Sequence, residues 1–228
     1  MISAIFLYLA ATIGALLPIV NPLSTAPVFL AVTAKYSDQW RNTQARLAAI
    51  YMTVILLVSL FAGAVVLGFF GIGIPVLRIA GGLVITRVGF GMLEPSSEHR
   101  VLPEEEKEAQ SMDNVAFTPV AMPMLAGPGA IATTIAIATE SMSLANYAGV
   151  AVGICVVALI AWGALRSSSA LLGVIGNTGM NVVTRLMGLI LICIGIRFVV
   201  VGALEGLASE PMLEAIRAWL SALESTGG

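Results

Sequence analysis

The sequence predicts an all-α membrane protein. Six transmembrane helices form two inverted three-helix repeats, with helices 1 and 4 broken at mid-membrane. Three observations carry this. Charged residues make up 11% of the 228-residue chain and hydrophobic ones 58%, against about 25% charged in a soluble domain, so there is too little charge to coat a water-soluble globule. Charge-poor runs of about 20 residues, enough to cross a hydrocarbon core, recur six times. Two proline-broken stretches, Leu17–Pro27 and Pro119–Ile131, lie inside apolar runs about 106 residues apart.

The first span is placed near 3–33. As one helix it would run roughly 46 Å against a core of about 30 Å, so a break at Pro18–Pro22 is expected. For one span alone a simple proline kink is an equal alternative, and the second copy argues against it. In hydrocarbon each unsatisfied backbone group costs several kcal/mol, so a helix is interrupted only where protein or water covers the gap. Spans two and three follow near 47–70 and 73–93, closing a first repeat over 1–93. Residues 94–115 form an acidic loop with Glu94, Glu98, Glu104, Glu105, Glu106, Glu108, Asp113 and the sole histidine, His99. The second repeat, 116–204, holds a broken span near 116–139 and further spans near 143–165 and 183–204. Between the last two, residues 166–182 mix an apolar patch with Ser, Asn and Gly and are expected to be a loop with a short interfacial or re-entrant piece. In the tail, 205–228, Ser209 and Pro211 mark a helix start. Met212, Leu213, Ile216, Trp219, Leu220 and Leu223 then make an amphipathic stripe that lies on the membrane or docks on the protein's own face.

The third and sixth spans also correspond. Arg78-Ile79-Ala80-Gly81-Gly82 aligns with Arg185-Leu186-Met187-Gly188-Leu189 at an offset of about 107. With three spans per unit, the second copy enters the membrane upside down, the arrangement of alternating-access transporters whose site lies between discontinuous helices. Lys35, Arg41, Arg46, Arg100, Lys107 and Arg166 fall on one side and only Arg217 on the other. The positive-inside rule therefore puts the long loops in the cytoplasm and both termini of this multi-pass protein outside, which for a bacterial inner membrane means periplasmic.

A helix restarting after a break presents N–H groups and the positive end of its dipole, which suits an anion. Carbonyls ending the preceding half suit a cation, so two inverted breaks suit a zwitterion. The expected substrate-binding set is Asn21, Pro22, Ser24 and Thr25 from the first break, with Gly127, Pro128, Gly129 and Ala130 from the second. Pro22 and Pro128 are expected to start the second half-helices. Ser24 and Thr25 add hydroxyls, and Gly127 and Gly129 permit close approach. Arg78 and Arg185 are expected to be a gate or structural clamp, the alternative being side chains that snorkel to the interface; Gly81, Gly82 and Gly188 are assigned to helix packing. No Asp, Glu or His lies clearly inside a span, so neither a carboxylate relay nor a triad or hydrolytic metal site is expected. The chain reads as no enzyme and needs no cofactor, with a coupling Na⁺ or H⁺ left open. Its partners are a small-molecule substrate and the lipid bilayer. There is no basic patch for nucleic acid, and oligomeric state is not indicated. Cys155 and Cys193 are expected to pack as small hydrophobes.

Four segments carry a family likeness: Asn21-Pro22-Leu23-Ser24-Thr25-Ala26-Pro27-Val28-Phe29, Arg78–Gly82, Pro119–Ile131 with its Leu-Ala-Gly-Pro-Gly-Ala-Ile run, and Thr184–Gly188. They resemble the MarC family of six-span bacterial and archaeal inner-membrane proteins, some described as neutral amino acid transporters of the SnatA type. The resemblance spans roughly 3–204 and implies a transporter of small neutral amino acids such as glycine or alanine. One departure is Ser24, where the family pattern usually has Gly; Thr25 stands where it often has Asn. Two other readings stay open here: an exporter of other amino acids or small metabolites, and a membrane scaffold that translocates nothing.

Overall fold

The computed structural model describes residues 2–93, 114–140, 143–208, 214 and 217–218. It is all helix, with no strand among the described residues: α1 (Ile2–Val20), α2 (Pro22–Val32), α3 (Asp38–Phe69), α4 (Ile74–Leu93), the wide-turned segment α5 (Ala116–Leu125), α6 (Pro128–Glu140), α7 (Leu144–Arg166) and α8 (Ser168–Leu207). Four helices are long and apolar enough to cross a membrane, and two bent pairs bring the number of spans up to six. Those pairs are the expected broken spans. α1 and α2 meet at 41°, α5 and α6 at 59°.

Element ends follow local chemistry. α3 begins about nine residues before the apolar run, because the Ser37 hydroxyl accepts from the Trp40 N–H and Asp38 sits in the first turn. α7 starts in the same way, the Ser143 hydroxyl accepting from Asn146 N–H. The loop expected over 166–182 is overturned, since all but its first two residues lie within α8. Gly176 (φ 68°, ψ 168°) breaks that helix, with the apolar span starting at Thr178. Only glycine takes that conformation without strain, so the Ser- and Gly-rich stretch encodes an arm, a kink and a span. Cys155 and Cys193 are exposed on the outer surface rather than packed inside. The acidic residues of 94–113 and most of the tail lie outside the described residues.

The two halves pack on each other. α1 lies on α7 as α5 lies on α3, α2 touches α8 as α6 touches α4, and α3·α7 and α4·α8 pair equivalent helices. The main contacts are thus preserved when the halves are exchanged. A buried cluster from Leu16, Val20, Phe29, Met52, Leu56, Val120, Leu125, Ile154 and Val157 fills the middle. Phe61, Val65, Phe69, Leu83, Leu159 and Val200 point outward, as a lipid-facing surface requires.

The α4–α8 seam fixes the relative direction of the two units. A Cβ placed on Gly82 would lie 2.6 Å from the Gly195 carbonyl oxygen, on Gly89 2.7 Å from that of Gly188, and on Gly202 2.7 Å from that of Pro75. Contacts seven residues apart on each helix, in opposite order, mean that α4 and α8 run antiparallel. The equivalent third helices of the two units therefore cross in opposite senses, which is what inversion demands.

Candidate functional site

The first break turns on one residue. Asn21 is left-handed (φ 45°, ψ 61°) and 6% exposed. Asn tolerates this region better than any other side chain except Gly. Pro22 follows as the first residue of α2 and has no N–H to return to the preceding turn. The Asn21 N–H donates to the Leu17 carbonyl (3.0 Å), and the N–H groups of Ser24 and Thr25 both donate to the Asn21 carbonyl (3.2 Å each). The break is thus largely self-satisfied, with fewer free donors than an open helix start. Asn21→Gly should keep the turn. Asn21→Val adds about 1–2 kcal/mol of backbone strain, and a lower melting temperature in detergent for Val than for Gly checks this.

The second break is built differently. Within α5, Thr118 (φ −118°, ψ 127°) and Met122 (φ −131°, ψ 122°) are extended, each preceding a proline, as the residue before proline prefers. The Ala126 N–H donates to the Ala121 carbonyl (2.8 Å) and α6 starts with Ile131 N–H donating to the Gly127 carbonyl (3.1 Å). Gly127 and Pro128 therefore stand in the second repeat where Asn21 and Pro22 stand in the first. A side chain on Gly127 would lie 2.6 Å from the Pro123 carbonyl oxygen, and one on Gly129 would lie 2.5 Å from Ile85 Cγ1 and 3.5 Å from Ile19 Cγ2.

Between the breaks lies a cavity of about 880 Å³, within the range of small-molecule sites. Asn21, Ser24, Thr25, Gly127, Pro128, Gly129 and Ala130 all line it. Pro22 does not; it is buried behind them. The two arginines part company. Arg185 lines the cavity and is exposed, whereas Arg78 is away from it, buried, and paired with Glu205 near the end of α8. The cavity runs from the breaks past Ala31, Ala34, Gly91 and Leu172, so it extends to the side where α2 and α4 end and α8 begins.

The sequence reading did not include the wall from α4 and α8: Ile85, Met92, Asn181 and Thr184. Ser24 Oγ donates to Thr184 Oγ1 (3.4 Å) and Asn21 Nδ2 to Met92 Sδ (3.7 Å). Thr25 Oγ1 donates to its own Asn21 carbonyl (3.3 Å). Asn181, Thr184 and Arg185 recur at three- and four-residue steps in an apolar run, a polar stripe that could have marked this wall.

The comparisons with known proteins agree with this architecture. A model described as MarC family integral membrane protein matches residues 6–207. The chain belongs to the MarC family. It is 40% identical over 201 residues to an inner membrane protein MarC of Escherichia coli O1:K1, covering 83% of this chain and 91% of that protein. The corresponding protein of Citrobacter koseri is 39% identical over the same shares, and that of Shigella flexneri 40%. No solved structure matches. The MarC match covers both breaks and the α4–α8 seam.

Proposed function

We propose that this MarC-family protein is a secondary transporter of small neutral amino acids, glycine- or alanine-like, working by alternating access across the inner membrane. The observation that carries the reading is a cavity bounded by two helix breaks from inverted halves. A second observation favours alternation. Arg78 and Arg185 occupy equivalent positions, yet one is buried and ion-paired while the other faces the cavity. Inverted repeats caught with their equivalent elements in unlike states are what a carrier open to one side requires. Under the positive-inside expectation, the side where α2 and α4 end is cytoplasmic, both termini are periplasmic, and the cavity opens inward. A coupling Na⁺ or H⁺ belongs to this reading; the dependence of uptake on an imposed gradient of either ion decides it.

Uptake of labelled glycine or alanine into proteoliposomes tests the proposal. Saturable uptake is expected, and in Gly127→Leu, whose side chain would enter the second break, the uptake per unit of folded, monodisperse protein should be lost. The absence of saturable transport across a panel of neutral amino acids would overturn the reading.

A further inference from the structure

We infer that the cavity recognises its substrate through the carboxylate, held by Arg185, and that small monocarboxylates lacking an amino group are ligands too; this rests on the transport reading of the same cavity. The antiparallel seam gives the depth of Arg185. Gly82 faces Gly195 and Gly89 faces Gly188, and one further turn along the same register brings Arg185 level with Met92. The Met92 sulfur accepts from the Asn21 amide, so Arg185 stands at the height of the first break. Its neighbour Thr184 touches Ser24 there.

The Arg185 side chain makes no ion pair or hydrogen bond with any described residue. None of the described residues that line the cavity is acidic. The N-terminus of α2 is a weak rival for an anion, because Pro22 has no N–H and those of Ser24 and Thr25 already close on the Asn21 carbonyl. Among the described residues, the full charge presented to the cavity is therefore positive. A zwitterion finds a charged partner for its carboxylate, while its ammonium meets only neutral acceptors. Arg78, the equivalent residue, pairs with Glu205, whereas Arg185 pairs with no acid among the described residues.

The test uses the full-length protein in proteoliposomes exchanging labelled alanine, with propionate and lactate as carboxylate competitors and alaninamide as the amine without a carboxylate. Propionate and lactate should inhibit and alaninamide should not. Arg185→Gln should raise KM for alanine about tenfold or more, as loss of a charge-assisted contact does, with a smaller change in maximal rate. Arg185→Lys should recover part of that loss, and Arg87→Gln, an exposed arginine of α4 outside the cavity, should change neither. Equal inhibition by alaninamide and propionate, or an Arg185→Gln protein with unaltered KM, would overturn the proposal and leave transport standing. Thermal shift in detergent separates the two ideas. If the wild-type protein moves no amino acid yet is stabilised by propionate, and Arg185→Gln is not, the transport reading falls and the carboxylate site holds. Without either effect both fall.

Discussion

Gly188→Leu is expected to leave little folded protein, a large loss of stability from a substitution outside the cavity. At this point the backbones of α4 and α8 nearly touch. A Cβ on residue 188 would lie 2.8 Å from the Gly89 carbonyl oxygen and 2.8 Å from Met92 Cβ. A carbonyl oxygen inside a helix cannot rotate away, so the only relief is separation of the helices. Overpacking a core costs about 1–3 kcal/mol where side chains can yield, and here a backbone stands opposite. Inside a bilayer, moreover, helices associate through close packing rather than through exclusion of water, so a separated seam loses what holds it. The displacement would also move Met92 and hence the Asn21 turn it touches. Gly163→Leu is the matched control, since a side chain there meets nothing within 4 Å. Fluorescence-detected gel filtration with a thermal ramp would read the difference. Equal melting of the two variants would show that the seam is not a tight contact.

Much of this architecture was legible because proline removes a hydrogen bond wherever it stands. Pro22 and Pro128, inside apolar runs of matching position, mark two breaks in the sequence itself, and the cavity lies between them. Which residue would take the turn was half legible. Asn21 stands where a cap would, but its left-handed backbone and the contact of its amide with Met92, 71 residues away, are set by the fold. α3 starts before the span expected near 47 because hydropathy marks the membrane and not the helix; Ser37 and Asp38 start it in the polar region outside. The arm before Gly176 was read as a loop because its Ser and Gly residues have weak helical preference, which tertiary contact overrides. Leu172, on that arm, is part of the cavity wall. The unlike fates of Arg78 and Arg185 were out of reach in principle. Their flanking sequences correspond, so nothing beside them in the chain tells that one is buried against Glu205 and the other faces the cavity.

Glu205→Gln should loosen the closed end of the molecule and make the site reachable from both sides of the membrane. Arg78 and Glu205 join the start of α4 to the end of α8, the end away from the cavity opening, with side chains 9% and 42% exposed respectively. Breaking a fully buried pair costs about 3–5 kcal/mol, while an exposed pair contributes about 1 kcal/mol at most. With one partner half wet, the loss falls between these limits and shows as a lower melting temperature. The functional effect is larger than the thermal one. Each 1.4 kcal/mol taken from one of two interconverting states changes their ratio about tenfold, so even the lower part of that range repopulates a state open at the other end. A thiol at the first break reports this: Ser24→Cys, in a background with Cys155 and Cys193 changed to Ala, places the probe in the cavity wall. A membrane-impermeant thiol reagent should label the parent from the side where α2 ends and the Glu205→Gln protein from both. Arg78→Lys should behave as an intermediate, because an ammonium keeps the charge but loses the planar fork that engages a carboxylate. One-sided labelling that survives Glu205→Gln unchanged would mean that the pair only fastens two helix ends, and that closure of this face lies in the apolar packing of α3 against α6 and α7.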